Sequence, residues 1–371
     1  MPSRLEKTLN TRLITSLDEL CQRLELPSEL SSSLTEATRS FPFLVPESVL
    51  NRIEKGNPND PILKQFLPSL EELEEKAGFV LDPLCEFSGN ESKPGAPKES
   101  QFLLQKYAGR VLVLTTNACA ARCRFCFRRH FHGPSLFPIP AEFYQERSDA
   151  DDTELSTTSS KINTSFDRVF HSVRNNPSIS EIIFSGGDPL TLPDDQLKSL
   201  LHSIKTLRSV KRVRFHSRIP VLAPQRIGAN FPSNDDVNSV DDESPLVLHL
   251  AVHVNSPNEI DASVARALFD LRKRGYVLTS QTTLLKGVND SSDTLVELFE
   301  KLANCGVIPY YLHQFDRVQG AAHFETPVKR GLELMKEIAE RLPGYAVPKY
   351  VREIPGRASK VNLLAEPNAD L

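Results

Sequence analysis

Three cysteines crowd into eight positions of a 371-residue chain: Cys119, Cys123 and Cys126, spaced C-x3-C-x2-C. Cysteine thiolates are the usual holders of iron–sulfur clusters. Three of them can bind three irons of a 4Fe–4S cube and leave the fourth iron open. An open iron can chelate a small molecule through an amine and a carboxylate. A structural zinc site wants four ligands. No fourth cysteine is near, although His130 and His132 could complete one. The third reading is three buried small residues, a common use of cysteine. Cys21, Cys85 and Cys305 have no metal spacing and read as ordinary small residues.

Other candidates are quieter. Ser185, Gly186, Gly187 and Asp188 follow an apolar run. Paired glycines let backbone approach a ligand closely, but taken alone the motif reads as a strand-to-helix turn. Asp290 and Asp316 also follow apolar runs, where a single Asp is most often a loop cap. Lys360, eleven residues from the end, reads alone as a solvated surface group.

These residues need elements to position them. Residues 1–104 read as a mainly helical N-terminal region, with helices over 15–24 and 69–77 and Ser69 as an N-cap. Residues 88–100 read as a linker. From residue 105 to 371 the pattern changes. β-Branched or apolar runs occur at 110–116, 181–185, 212–217, 246–254, 277–285 and 308–314. Amphipathic helical stretches fall at 163–174, 194–207, 258–274, 291–304 and 327–342. This alternation predicts an α/β fold with a parallel sheet. The strands mostly lack alternating polar faces, which suits a barrel or partial barrel. Sites on such a fold lie at the carboxyl ends of the strands. Segments 146–160 and 233–244 are acidic and read as mobile surface insertions.

Composition narrows the class. Lys and Arg total 44 against 48 for Asp and Glu, a net charge of −4. That balance offers no purchase for nucleic acid or a membrane surface. No run approaches the roughly 18 apolar residues of a membrane span. The first residues lack the apolar stretch of a secretory signal, so the expected location is the cytoplasm. Six cysteines at this length exclude a disulfide scaffold.

The cysteine spacing, with Phe125 before the last cysteine and the whole on the loop after the first long strand, resembles the radical S-adenosylmethionine (SAM) superfamily. The continuation Phe127, Arg128, Arg129, His130, Phe131 is similar to the lysine 2,3-aminomutase family. Its nearest likeness is the branch that supplies (R)-β-lysine for modifying elongation factor P. The resemblance runs from about residue 57 to 362. It implies a partial (β/α)6 TIM-like barrel of the radical SAM type. It implies a 4Fe–4S cluster on Cys119, Cys123 and Cys126, with Phe125 on the adenine side of SAM. Ser185, Gly186, Gly187 and Asp188 would hold the SAM methionyl amine.

The run from Val351 to Lys360 is similar to the family segment bearing the lysine that holds pyridoxal phosphate (PLP). Here Arg357, Ala358 and Ser359 stand where the family is often richer in glycine. Tyr107 and Arg110 resemble a segment near the PLP phosphate. His216 to Arg218, and His253 with Asn255, match strand ends lining the SAM site. Asp290 and Asp316 resemble the pair that grips the ε-ammonium of lysine, and Arg128 the arginine on its α-carboxylate. Two carboxylates around one ammonium make charge-assisted hydrogen bonds, and a substrate lacking the amine leaves both unpaired.

The chemistry implied is a 2,3-amino shift on L-lysine. Its Cβ–H bond is unactivated, so a cofactor radical must break it. In the family the reduced cluster cleaves SAM reversibly to supply a 5′-deoxyadenosyl radical. A reductase or flavodoxin-type electron donor and a functional link to the elongation factor P lysine ligase follow as expected partners. No zinc is expected, since the extra C-terminal cysteines of clostridial-type relatives are absent from the sequence. The competing readings are a free-standing aminomutase of lysine catabolism, a radical SAM RNA methyltransferase, and a non-enzymatic iron–sulfur or zinc protein.

Overall fold

The computed structural model describes residues 2–86, 103–131 and 169–366. The expected linker 88–100, the insertion 146–160, His132 and the first part of the 163–174 helix lie outside the described residues.

A two-stranded antiparallel ribbon, β1 (Leu13–Ile14) and β2 (Val45–Pro46), ties the N-terminal region together. The remaining strands form one nine-stranded sheet in the order β11-β10-β9-β8-β7-β6-β5-β4-β3. They are β3 (Leu103–Leu104), β4 (Arg110–Thr116), β5 (Glu181–Gly186), β6 (Arg212–Ser217), β7 (Val247–His253), β8 (Val277–Thr283), β9 (Ile308–His313), β10 (Lys349–Arg352) and β11 (Val361–Asn362). From β4 to β10 every neighbouring pair is parallel. β3 and β11 pair antiparallel at the two edges. The six long strands therefore fall where the apolar runs place them. β10 was not anticipated, because it is only four residues long and begins and ends with cations.

The helices between strands obey the same logic. In Ala262–Lys273 the buried residues Val264, Ala267, Leu268 and Leu271 fall on one face, and Asp261 caps the first turn by accepting from the Val264 N–H at 2.9 Å. Ser291 caps Ser292–Asn304 in the same way. With helices against it, the sheet is buried: β5 shows a single partly exposed residue, Gly186 at its end.

The N-terminal region is less regular than expected. Helix Leu17–Arg23 lies within the predicted span, but 69–77 yields only a short 3-10 turn, Leu70–Leu73, capped by Ser69. Helices Arg4–Leu9 and Glu29–Ser40 were not foreseen. The latter carries six Ser or Thr and just three buried residues, so its apolar signal is faint. Its neighbours bury Leu5, Leu9, Ile14 and Leu20 in one apolar core that continues through the sheet strands to Leu363.

Segment 233–244 is not the free insertion its composition suggested. Asp236 pairs with Lys198 at 2.8 Å, Asp242 pairs with Lys205, and Asn238 bonds both the N–H and the carbonyl of Leu246. Charge that reads as solvated in sequence is here paired with lysines of helix Asp194–Lys205.

Candidate active site

The carboxyl ends of the parallel strands converge on one cavity of about 760 Å³, within the range of ligand sites. Each strand contributes what stands at or just past its end. β4 leads into Cys119, Cys123, Phe125, Cys126 and Arg128; β5 ends in Ser185 and Gly186; β6 supplies His216 and Arg218; β7 supplies His253. β9 leads to His313 and Asp316, and β10 to Glu353 and Lys360. Arg110 and Tyr107 close the wall near Lys360, whose backbone N–H donates to the Tyr107 hydroxyl at 3.2 Å.

The cysteine loop is fixed from below. Arg124, fully buried, donates to both oxygens of Glu72, at 2.8 and 2.5 Å, and Arg129 joins the same carboxylate at 2.5 Å. Burial pushes the Cys119 and Cys126 thiols up, so their thiolates form readily only beside a cation. Arg218 donates to Cys123 Sγ at 2.9 Å and is held in turn by Gln65 and Glu259.

The paired glycines serve the fold directly. A Cβ on Gly187 would lie 2.2 Å from the Ala118 carbonyl oxygen, and one on Gly186 (φ +109°) 2.8 Å from that of Thr116. The Gly187 and Asp188 N–H groups donate to those two carbonyls. The glycines thus seat the cysteine loop against β5. Asp188, expected to bind a ligand amine, has its carboxylate engaged elsewhere. Its oxygens accept from the N–H groups of Leu190, Arg218 and Ile219 and from Ser217 Oγ. It fastens the end of β5 to the end of β6.

Phe125 stacks on His253, centroids 5.5 Å apart and planes at 19°. Burial lowers His253 to about 3 and holds His216 and His313 well below the ordinary imidazole value. All three rings are neutral at physiological pH. Arg110 lies over the Tyr107 ring at 3.8 Å.

Lys360 Nζ donates to Glu353, which also pairs with Lys106. Burial opposes ionisation of Glu353, but the two ammonium groups prevail and lower it. Asp316 is pushed up to about 7, by burial first, with Glu353 and Glu86 adding and Lys360 opposing. Asp290 is the acid expected to act together with Asp316. It does not line the cavity; its carboxylate accepts from the Gly287 N–H at 2.9 Å and closes the turn after β8. Glu353 is a further acid of the cavity whose charge raises Asp316, as does that of Glu86. Glu353 stands seven residues before Lys360, and no spacing rule singled it out. Glu86 and Lys106 were also missed, each being a single charged residue with no motif around it.

The cavity suits the groups expected in it. Nε2 of His216 and of His253 are buried without partners, as ligand-facing donors or acceptors would be. Among the described residues no three His, Cys, Asp or Glu converge as around a single ion. Thiolates that each held a different iron of a cluster would stand wider apart than the ligands of one ion.

No family model matches the chain. Individual relatives do. An L-lysine 2,3-aminomutase of Escherichia coli is 37% identical over 352 residues, covering 95% of this chain and 92% of its own. One from Haemophilus influenzae is 35% identical, covering 92% and 90%. One from Clostridium subterminale is 32% identical over 95% of this chain and 76% of its own.

Proposed function

Since the chain belongs to the lysine 2,3-aminomutase family and is thereby an isomerase, we propose that it converts L-α-lysine to β-lysine, on a radical SAM partial barrel. The observation that carries this reading is a juxtaposition. Cys119, Cys123, Cys126 and Lys360 open into one cavity with Arg128, Asp316 and Glu353.

In this reading Cys119, Cys123 and Cys126 hold the 4Fe–4S cluster. Phe125 and His253 form a stacked wall for the adenine of SAM. Ser185 and the backbone of Gly186 and Gly187 meet its amine, while Asp188 keeps that backbone in place. Lys360 anchors PLP, with Arg110 and Tyr107 toward the phosphate. When bound, cluster and SAM supply a carbon radical, and PLP makes the amino shift accessible.

The chain's own task is placement and exclusion. Arg128 takes the α-carboxylate of lysine, for which a planar fork is better matched than an ammonium. Asp316 and Glu353 take the distal ammonium. Fixing both ends of a flexible substrate sets the carbon between them, where about 1 Å of error can cost ~100-fold in rate. The neutral imidazoles of His216, His253 and His313 line the middle without adding charge. Release of Lys360 from Glu353 frees that carboxylate for the substrate.

The run from Phe127 to Phe131 supports assignment to the branch that serves elongation factor P, with a cytoplasmic location, a reductase or flavodoxin-type electron donor, and the lysine ligase downstream. The test is anaerobic reconstitution with iron, sulfide and PLP, followed by SAM, reductant and L-lysine. β-Lysine forms with the wild-type chain and not with Lys360→Ala, which retains its cluster. Absence of β-lysine from wild-type protein carrying both cluster and PLP refutes the reading. Exclusive formation of the S enantiomer removes the elongation factor P assignment.

A further inference from the structure

Arg128 already carries a carboxylate of the protein's own. Glu86 meets it side-on: Nε donates to Oε2 at 2.7 Å and Nη2 to Oε1 at 2.8 Å. At the other corner Nη1 donates to Ser185 Oγ at 3.1 Å and to the Gly186 carbonyl at 3.4 Å. The Arg128 and Glu86 side chains are only 9% and 16% exposed. The segment that delivers Glu86 is built for the purpose. Asp82 Oδ1 accepts from the Glu86 N–H at 3.1 Å, and the Asp82 carbonyl from the Cys85 N–H at 3.2 Å. Between them Cys85 adopts φ +50°, a left-handed conformation unfavourable for a residue with a Cβ.

Nothing in the proposed reaction uses Glu86. Lys106 and Lys360 are both paired with Glu353, so Glu86 does not serve them. A guanidinium, however, carries five N–H donors in a fixed fork and can serve two carboxylates on different edges. The side-on pair with Glu86 consumes Nε and one hydrogen of Nη2. The second Nη2 hydrogen, with Nη1 beside it, forms the end-on edge. Arg128 lines the cavity together with Asp316 and Lys360.

We propose that Glu86 is a positioning residue for substrate recognition. It fixes the plane of the Arg128 guanidinium so that the end-on edge is presented to the substrate α-carboxylate. Arg128 is then held at two corners, by Glu86 and by the end of β5, and pays little further ordering on binding lysine. The inference rests on the reading of Arg128 as the carboxylate-binding group.

The test compares L-lysine with 1,5-diaminopentane, which lacks the carboxylate. Binding of each to the reconstituted, PLP-loaded enzyme is read from the PLP absorbance, and KM and kcat are measured for lysine. Glu86→Gln keeps the side-chain volume and removes the charge. It is expected to weaken lysine binding and raise KM by roughly tenfold, with a smaller change in kcat and unchanged diaminopentane binding. Glu86→Asp, which keeps the charge, falls between wild type and Glu86→Gln. Unchanged lysine binding in Glu86→Gln overturns the proposal, and so does equal weakening of both ligands. Tighter lysine binding overturns it by making Glu86 a competitor for the fork. An Arg128→Met arm separates the premise. If Arg128→Met binds lysine as wild type does, the reading of Arg128 fails. If it loses lysine while Glu86→Gln does not, only the role of Glu86 fails.

Discussion

Asp316 shows what burial does to a single carboxyl. It titrates near 7, far above the ordinary 3.8, because burial outweighs the attraction of Lys360. The folded state therefore holds this proton more tightly than the unfolded chain does. The stability this contributes is fully present below about pH 4 and is lost as pH rises through about 7. Ligand-free Asp316→Asn should therefore gain most in melting temperature over wild type at pH 8, less at pH 5 and least at pH 4. In the proposed role of Asp316 catalysis has the opposite slope, because an ammonium is gripped only by the ionised acid. The kcat/KM for lysine should fall below pH 7 with an apparent pKa near that of Asp316, and a flat profile between pH 6 and 8 removes this role. Neighbouring Glu353 is held low by Lys106 and Lys360, so the two acids do not ionise together.

At the scale of elements, one buried carboxylate decides whether the loop after β4 keeps its shape. Glu72, 6% exposed, is the shared anion for Arg124 and Arg129. Glu72→Gln leaves two buried guanidiniums short of a countercharge, and losing one partner of a buried pair costs about 3–5 kcal/mol. The expected result is a lower melting temperature and slower, incomplete cluster reconstitution, read from the iron–sulfur absorbance. Normal reconstitution at normal stability contradicts the clamp. Elsewhere, helix Val328–Ala339 passes β10 closely because Gly331 leaves room for Tyr350. A Cβ there would lie 2.0 Å from the Tyr350 hydroxyl. Gly331→Ala should destabilise by about 1–3 kcal/mol through overpacking, measured by denaturant titration, although alanine is the better helix former.

At the scale of the whole molecule, the N-terminal region and the sheet share one apolar core. They are also stitched by Ser48 to the Leu222 carbonyl and by Arg52 to that of Glu259, at 2.6 Å each. Calorimetry should show one cooperative transition covering both, and a separate lower transition for residues 2–60 contradicts this. Because the Gln65 carbonyl and the Glu72 carboxylate reach Arg124 of the cysteine loop from that region, melting it loosens the site as well. The amino-acid sequence alone determined the strand and helix alternation, since apolar periodicity is a local property. It also determined the cysteine trio, whose spacing lies within eight residues. It did not reveal that Glu353 enters the cavity with Asp316. Asp290 and Glu353 are equally plain charges in the chain, and it is the pairing of β10 with β9 that carries Glu353 into the cavity. Nor could it show how Asp188 is engaged, because that depends on donors arriving from residues 217–219 at the end of another strand. Local pattern fixes what a segment becomes. Which charges meet is decided by long-range packing, which sets distance and burial together.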